Sequence, residues 1–126
     1  LLPSPARDPG PAGVLLEEIE RYFSGEKVSF SSPVDWTEYT PFQRLVLEIV
    51  KRIPYGEVSS YGRVAGEAGA PRAARAVGGV MRSNRTPLVV PCHRVLAADG
   101  SLGGFTGGLE MKRYLLNLER ASLRQN

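Results

Sequence analysis

The sequence predicts a mainly α-helical chain built on a helix-turn-helix, with one short buried strand that delivers a lone cysteine. Three observations lead there. Thr40-Pro41-Phe42-Gln43 opens a strongly periodic helix, with threonine as N-cap, proline at the first helical position and glutamine completing a capping box. Further on, a second helical stretch, a tight Gly69-Ala70 turn and a third stretch opening at Pro71 have helix-turn-helix spacing. Finally, Leu88-Val89-Val90 is a short, partly β-branched apolar run closed by Pro91, as expected of a buried strand whose ladder a proline ends.

Taken in order, residues 1–13 hold four prolines and two glycines and predict an irregular arm. Val14, Leu15, Ile19, Tyr22 and Phe23 then recur at helical spacing up to Ser24-Gly25, a short amphipathic helix. Residues 26–39 read as an extended connector. The helix from Thr40 places Phe42, Leu45, Val46, Ile49, Val50 and Ile53 on one stripe. After the Pro54-Tyr55-Gly56 turn, a serine cap at Ser59 or Ser60 starts a helix over Tyr61, Val64 and Ala65 that weakens from Gly66 to Gly69.

The next helix, Arg72 to about Ser83, sets Arg72, Arg75 and Arg82 on one face and Ala73, Val77, Val80 and Met81 on another. It is also thin: Ala73, Ala74, Ala76, Gly78 and Gly79 carry little or no side chain. Mid-helix glycine costs about 1 kcal/mol relative to alanine, so this thinness implies close approach by a neighbour. That neighbour is either another part of the chain or a nucleic acid. The last helix, Leu109 to about Arg120, has Met111, Leu115 and Leu118 on its buried stripe, with Glu119 beside them. A carboxylate there needs a partner.

Composition narrows the function classes. At 126 residues the chain is one domain's worth, and no apolar run approaches the 18 or so residues of a membrane helix. The start lacks the basic-then-apolar order of a signal peptide, and one cysteine forms no internal disulfide, so an intracellular, reducing setting is expected. A net charge of +3, with arginines gathered at Arg72, Arg75, Arg82, Arg85 and Arg94, fits either a solvated basic face or a polyanionic partner. One Cys and one His cannot make a structural zinc site, and the glycine-rich DGSLGGFTGG matches no phosphate-binding pattern; it reads as a flexible wall around a flat ligand. No cofactor or metal is expected.

The only cysteine and the only histidine are adjacent, at Cys92 and His93. Taken alone, the pair is either a small core hydrophobe beside a loop residue or a nucleophile beside its base. A free thiol titrates at about 8.5 and needs a base or positive charge nearby to react at neutral pH. Successive side chains on a strand face opposite ways, so contact between the two requires a turn at Pro91 or a bridging water, which is the favoured arrangement.

The flanking motifs decide. TPFQRLVLEIVKRIPYGEVSSYG, PRAARAVGGVMRSN, PCHRV and GGFTGGLEMKRYLLNLE, in that order and spacing, closely resemble the C-terminal winged helix-turn-helix domain of the O6-alkylguanine-DNA alkyltransferases. The resemblance covers 40–120, weakening back to about Val14. It divides the chain into an arm, short helix and connector at 1–39 and a catalytic domain at 40–126. It implies DNA repair by single-turnover transfer of an alkyl group from O6-alkylguanine, with O4-alkylthymine a further candidate, to Cys92. By the same likeness His93 is the base acting through a water, Glu119 orients it and Asn84 is the hinge between recognition helix and active-site strand. Arg75 replaces the extruded guanine, Tyr61 crowds the 3′ phosphate, and Arg72, Ala74 and Arg82 join them at the minor groove of duplex DNA. Pro87, Tyr61, Val95, Phe105 and Thr106 line the base pocket, with Lys112 nearby. A monomer is expected.

Two departures stand out. The 39 residues ahead of Thr40 are too few for the family's usual N-terminal α/β domain, so the sequence reads as either a naturally minimal member or a truncated one, and loss of that domain should leave the chemistry in place. Phe105 stands where many members have tyrosine, which bears on substrate selectivity. The chief alternative is a non-catalytic relative that binds lesions, against which the cysteine argues; a winged-helix regulator would explain the arginines but not PCHRV with Glu119. A carboxylate on the imidazole, and through it the thiol, is expected to pull Cys92 below the free-thiol pKa.

Overall fold

The computed structural model describes residues 10–102 and 108–124. The described residues form five α-helices: α1 Gly10–Phe23, α2 Pro41–Lys51, α3 Tyr61–Glu67, α4 Ala74–Ser83 and α5 Leu109–Arg124. Two short strands, β1 Ser59–Ser60 and β2 Val95–Leu96, pair in parallel with Ser59 opposite Val95. None of the described helices is long and apolar enough to cross a membrane.

The caps form as the sequence predicts. Thr40 Oγ1 accepts from Gln43 N at 3.1 Å and Gln43 Oε1 from Thr40 N at 2.9 Å, the reciprocal pair of a capping box. Ser60 caps α3 by accepting from Arg63 N. Gly69, at φ +78°, ends α3, and bonds from Ala70 N to Ala65 O and Gly69 N to Gly66 O close its last turn as a Schellman motif. The turn that follows is short enough to hold α3 and α4 together as a helix-turn-helix packed on α2. α4 begins at Ala74, leaving Arg72 in the preceding turn.

Val46, Leu47, Val50, Val64, Ala65, Val77, Val80, Met81, Val90, Cys92 and Val95 share the main core. A second cluster, Tyr22, Val28, Tyr55 and Leu115, ties α1 to α5. α1 starts at Gly10, inside the stretch whose prolines predict an irregular arm, since the prolines at 3, 5 and 9 all precede it. Two stripes differ from the reading of the sequence. In α2, Leu47 is buried and Leu45 exposed; in α5, Lys112, Leu115, Glu119 and Ser122 face inward while Met111 faces solvent.

The expected strand at Leu88–Val90 does not form. Pro87 and Pro91 remove two backbone donors, and the Asn84 side chain takes the groups a ladder would use: Nδ2 donates to Val90 O at 2.9 Å and Oδ1 accepts from Thr86 N at 3.0 Å. The segment closes instead as a turn, with Val90 N bonded to Thr86 O and Leu88 at φ +76°, an uncommon conformation for a residue with a Cβ. Cys92 opens a 3-10 turn, Cys92–Arg94, that runs directly into β2.

Candidate functional site

A 3-10 turn advances 120° per residue, so Cys92, His93 and Arg94 point in three directions. All three are buried, Cys92 at 1% exposure and His93 at 0%. The thiol lies against the Asn84 side chain and in the field of Lys112, while the imidazole turns towards α5. The geometry therefore separates the sulfur and ring directions, as an indirect contact requires.

Glu119 is the centre of the arrangement. Its Oε2 accepts from His93 Nε2 at 2.6 Å, from Tyr22 OH at 2.6 Å and from Arg94 Nη2 at 3.0 Å. Its Oε1 accepts from Arg94 Nε at 2.9 Å and Gly56 N at 3.0 Å. Five donors meet one carboxylate, which offers about four lone-pair sites. Arg94 also donates through Nη1 to Ile53 O and lies over the Tyr55 ring. Gly56 reaches the carboxylate because it sits at φ +81° with Leu123 packed where a Cβ would be.

These contacts fix the protonation states. Burial, the largest influence on Glu119, favours the neutral acid, but the hydrogen bonds and charges of His93 and Arg94 outweigh it and bring the carboxyl down to about 2. His93 is held below its ordinary value, mainly by burial, with Glu119 pulling the other way. Because an ionised Glu119 can only accept, His93 Nε2 carries the hydrogen. Burial likewise pushes the Cys92 thiol up, opposed by Asn84 and the Lys112 charge. The expected lowering of Cys92 is thus reversed: in a closed site, desolvation exceeds what the relay supplies. Thiol and neutral imidazole form the resting pair.

Lys112 is fully buried; Nζ donates to Val95 O at 2.6 Å and lies 5.7 Å from the Tyr61 ring centroid. Burial lowers its pKa to about 8, with Cys92 opposing. Val95 buries its side chain in the core and presents only backbone here, and Pro87 is exposed. Phe105 and Thr106 lie outside the described residues. Asn84, the C-cap of α4, joins that helix to the 86–90 turn through both halves of its amide.

On the outer face of α4, Arg75, Gly79 and Arg82 are exposed, with Arg72 exposed in the turn before it, Ala74 half-buried, and Tyr61 half-buried at the start of α3. A Cβ added at Gly78 or Gly79 would meet nothing within 4 Å. Packing against the described residues therefore does not require glycine at these two positions.

Three participants were not singled out by sequence reasoning. Arg94 was counted with the surface arginines, Tyr22 with the apolar stripe of α1, and Gly56 as a turn residue. The signals were weak but present. A buried tyrosine needs a partner for its hydroxyl, and a buried carboxylate beside a neutral histidine needs a full cation.

Comparison with known proteins identifies the family. Residues 41–121 match the family model described as 6-O-methylguanine DNA methyltransferase, DNA binding domain. The chain is 43% identical over 110 residues to a constitutive methylated-DNA--protein-cysteine methyltransferase of Bacillus subtilis, covering 86% of this chain and 66% of the relative. A methylated-DNA--protein-cysteine methyltransferase of Haemophilus influenzae is 48% identical over 102 residues, covering 81% and 57%. Mycobacterium tuberculosis OGT, solved in complex with DNA, superposes with a TM-score of 0.82 at 43% identity, covering 86% of this chain and 67% of the other. The chain thus spans roughly three-fifths to two-thirds of the length of these relatives.

Proposed function

Since the chain belongs to the 6-O-methylguanine DNA methyltransferase family, we propose that it repairs DNA by moving an alkyl group from O6-alkylguanine to Cys92, once per molecule. The observation that carries this reading is a buried cysteine followed in the same 3-10 turn by a histidine whose far nitrogen is held 2.6 Å from a carboxylate. Nucleophile, base and orienting carboxylate stand in the order that activated nucleophiles use.

His93 Nδ1, through a water, receives the thiol proton, and Cys92 Sγ attacks the alkyl carbon. The S–C bond forms as the C–O6 bond breaks, and guanine leaves as an anion that is protonated to the ordinary base by way of solvent. Glu119 does not take the proton; with a pKa of about 2 it stabilises the imidazolium electrostatically. The Lys112 charge favours the sulfur anion as it develops. The thioether is stable and no group regenerates the thiol, so turnover stops.

The target base has to leave the helix stack to reach a buried sulfur. Arg75 on the open face of α4 fills the vacated space, Tyr61 presses on the adjacent phosphate, and Arg72, Ala74 and Arg82 follow the minor groove, whose bottom the small residues allow α4 to approach. Pro87, Val95, Phe105, Thr106 and Tyr61 surround the base, and Asn84 carries the junction between α4 and the reactive turn. The protein acts as a monomer.

Intact-mass measurement after incubation with a duplex containing O6-methylguanine tests this. One added methyl on Cys92 per protein, with guanine restored and no reaction by Cys92→Ser, is expected. Repeated turnover, or methylation elsewhere, would overturn the proposal, and so would lesion binding without any transfer.

A further inference from the structure

Tyr22 lies 97 residues from Glu119 in sequence, yet its phenol donates to Oε2 at 2.6 Å, the same oxygen that accepts from His93 Nε2. We propose that Tyr22 is a positioning residue of the relay: by competing with His93 for one carboxylate oxygen, it limits how firmly Glu119 holds the imidazole and sets the pH below which His93 ceases to act as a base. The inference deepens the alkyl-transfer reading and rests on it for its kinetic consequence only.

Three donors on a single oxygen exceed its two lone pairs, so each weakens the others. Arg94 is fixed by its second bond to Oε1 and its third to Ile53 O, and Oε1 is also occupied by Gly56 N. Tyr22 is therefore the adjustable competitor. Its ring is fully buried, edge-on to Phe23 and Tyr55 with centroids 5.3 and 6.0 Å away. Burial and the Glu119 charge push the phenol's own ionisation far up, so Tyr22 remains a donor wherever the protein is folded. The charged and titratable groups facing the His93–Glu119 pair are Tyr22 from α1, Tyr55 from the turn after α2, Cys92 and Arg94 from the 3-10 turn, and Lys112 from α5. Among these Tyr22 alone reaches the pair from the segment ahead of Thr40. On this account, α1 does more than cover the core.

The closing experiment uses Tyr22→Phe, which keeps the ring contacts and removes the competing donor. His93 is the only histidine of the chain, so a 15N-histidine label gives a single assignable titration. In Tyr22→Phe the imidazole should protonate at higher pH than in the unmodified protein, and the acid limb of Cys92 alkylation by O6-benzylguanine should move up by the same amount. Site-specific 3-fluorotyrosine at position 22, whose more acidic phenol donates more strongly, should move both in the opposite direction and serves if Tyr22→Phe fails to fold. A role in packing alone would lower the melting temperature and leave both profiles in place; that result overturns the proposal. The NMR arm needs no substrate, so it stays decisive if Cys92 proves not to accept an alkyl group.

Discussion

Replacing Glu119 by glutamine keeps the shape of the side chain and removes the charge on which five donors converge. Arg94 is then buried with no counter-ion, and one end of the new amide offers hydrogens to groups that are themselves donors. Breaking one side of a buried pair typically costs about 3 to 5 kcal/mol. The titration of Glu119 gives an independent figure. A fall from 4.5 to about 2, at about 1.4 kcal/mol per pH unit, corresponds to roughly 3 kcal/mol of native-state preference for the ionised form. The sign follows from the depressed folded value: this stability is fully present above pH 4.5 and is lost as pH falls towards 2. His93, also held low in the folded protein, adds a loss in the same direction that begins below its unfolded value of 6.5. Urea unfolding followed by circular dichroism at a series of pH values measures the gap between the unmodified protein and Glu119→Gln. It should be about 3 kcal/mol or more at pH 7 and narrow steadily below pH 4.5. A gap that stays constant down to pH 3 would mean that Glu119 is not held ionised by these donors.

Three further outcomes are expected. Arg75→Ala should slow repair in duplex DNA by tenfold or more (order of magnitude, from the few kcal/mol that base extrusion requires) while leaving reaction with free O6-benzylguanine nearly unchanged; equal losses on both substrates would remove the intercalating role. Thiolate absorbance against pH should place Cys92 above an ordinary thiol, and Lys112→Met should raise it further, because burial raises it and the Lys112 charge opposes that; a midpoint below 8.5 would contradict the first, and an unchanged midpoint in Lys112→Met the second. Gly56→Ala should destabilise by about 1 to 2 kcal/mol through its left-handed backbone, and adding Leu123→Ala should recover little of it, since the side chain that would meet the new Cβ is the movable end of a leucine; full recovery in thermal melts would assign the cost to the clash instead.

The helical frame was legible because its signals are local. The Thr40-Gln43 capping box, the Ser60 cap and the Gly69 stop each act within a few residues, and each appears where the sequence places it. The segment before Cys92 was misread because Leu88-Val89-Val90 has strand composition, while its conformation is decided by the Asn84 amide and two flanking prolines. Side-chain capture of backbone groups leaves no periodic signature. Glu119 was identified as needing a partner, and His93 was found; Arg94 and Tyr22 were not, because their relevance depends on which way a 3-10 turn and a distant helix point. The thiol was misjudged for a related reason: a neighbouring base is visible in a sequence, whereas the depth of burial that opposes ionisation is a property of the folded whole.

The distance along the chain between the relay's members also has a consequence for its biosynthesis. Tyr22 precedes Cys92 and His93 along the chain, and Glu119 follows them in α5. Domains fold as their chains emerge from the ribosome at several residues per second, so the nascent protein carries its cysteine for some seconds before the carboxylate exists. During that interval His93 is already beside the sulfur in sequence, but nothing yet orients its ring, since its carboxylate partner is still to come. The relay is therefore complete only once α5 has docked, and a chain arrested short of residue 119 would carry the cysteine and the histidine without the carboxylate that joins them.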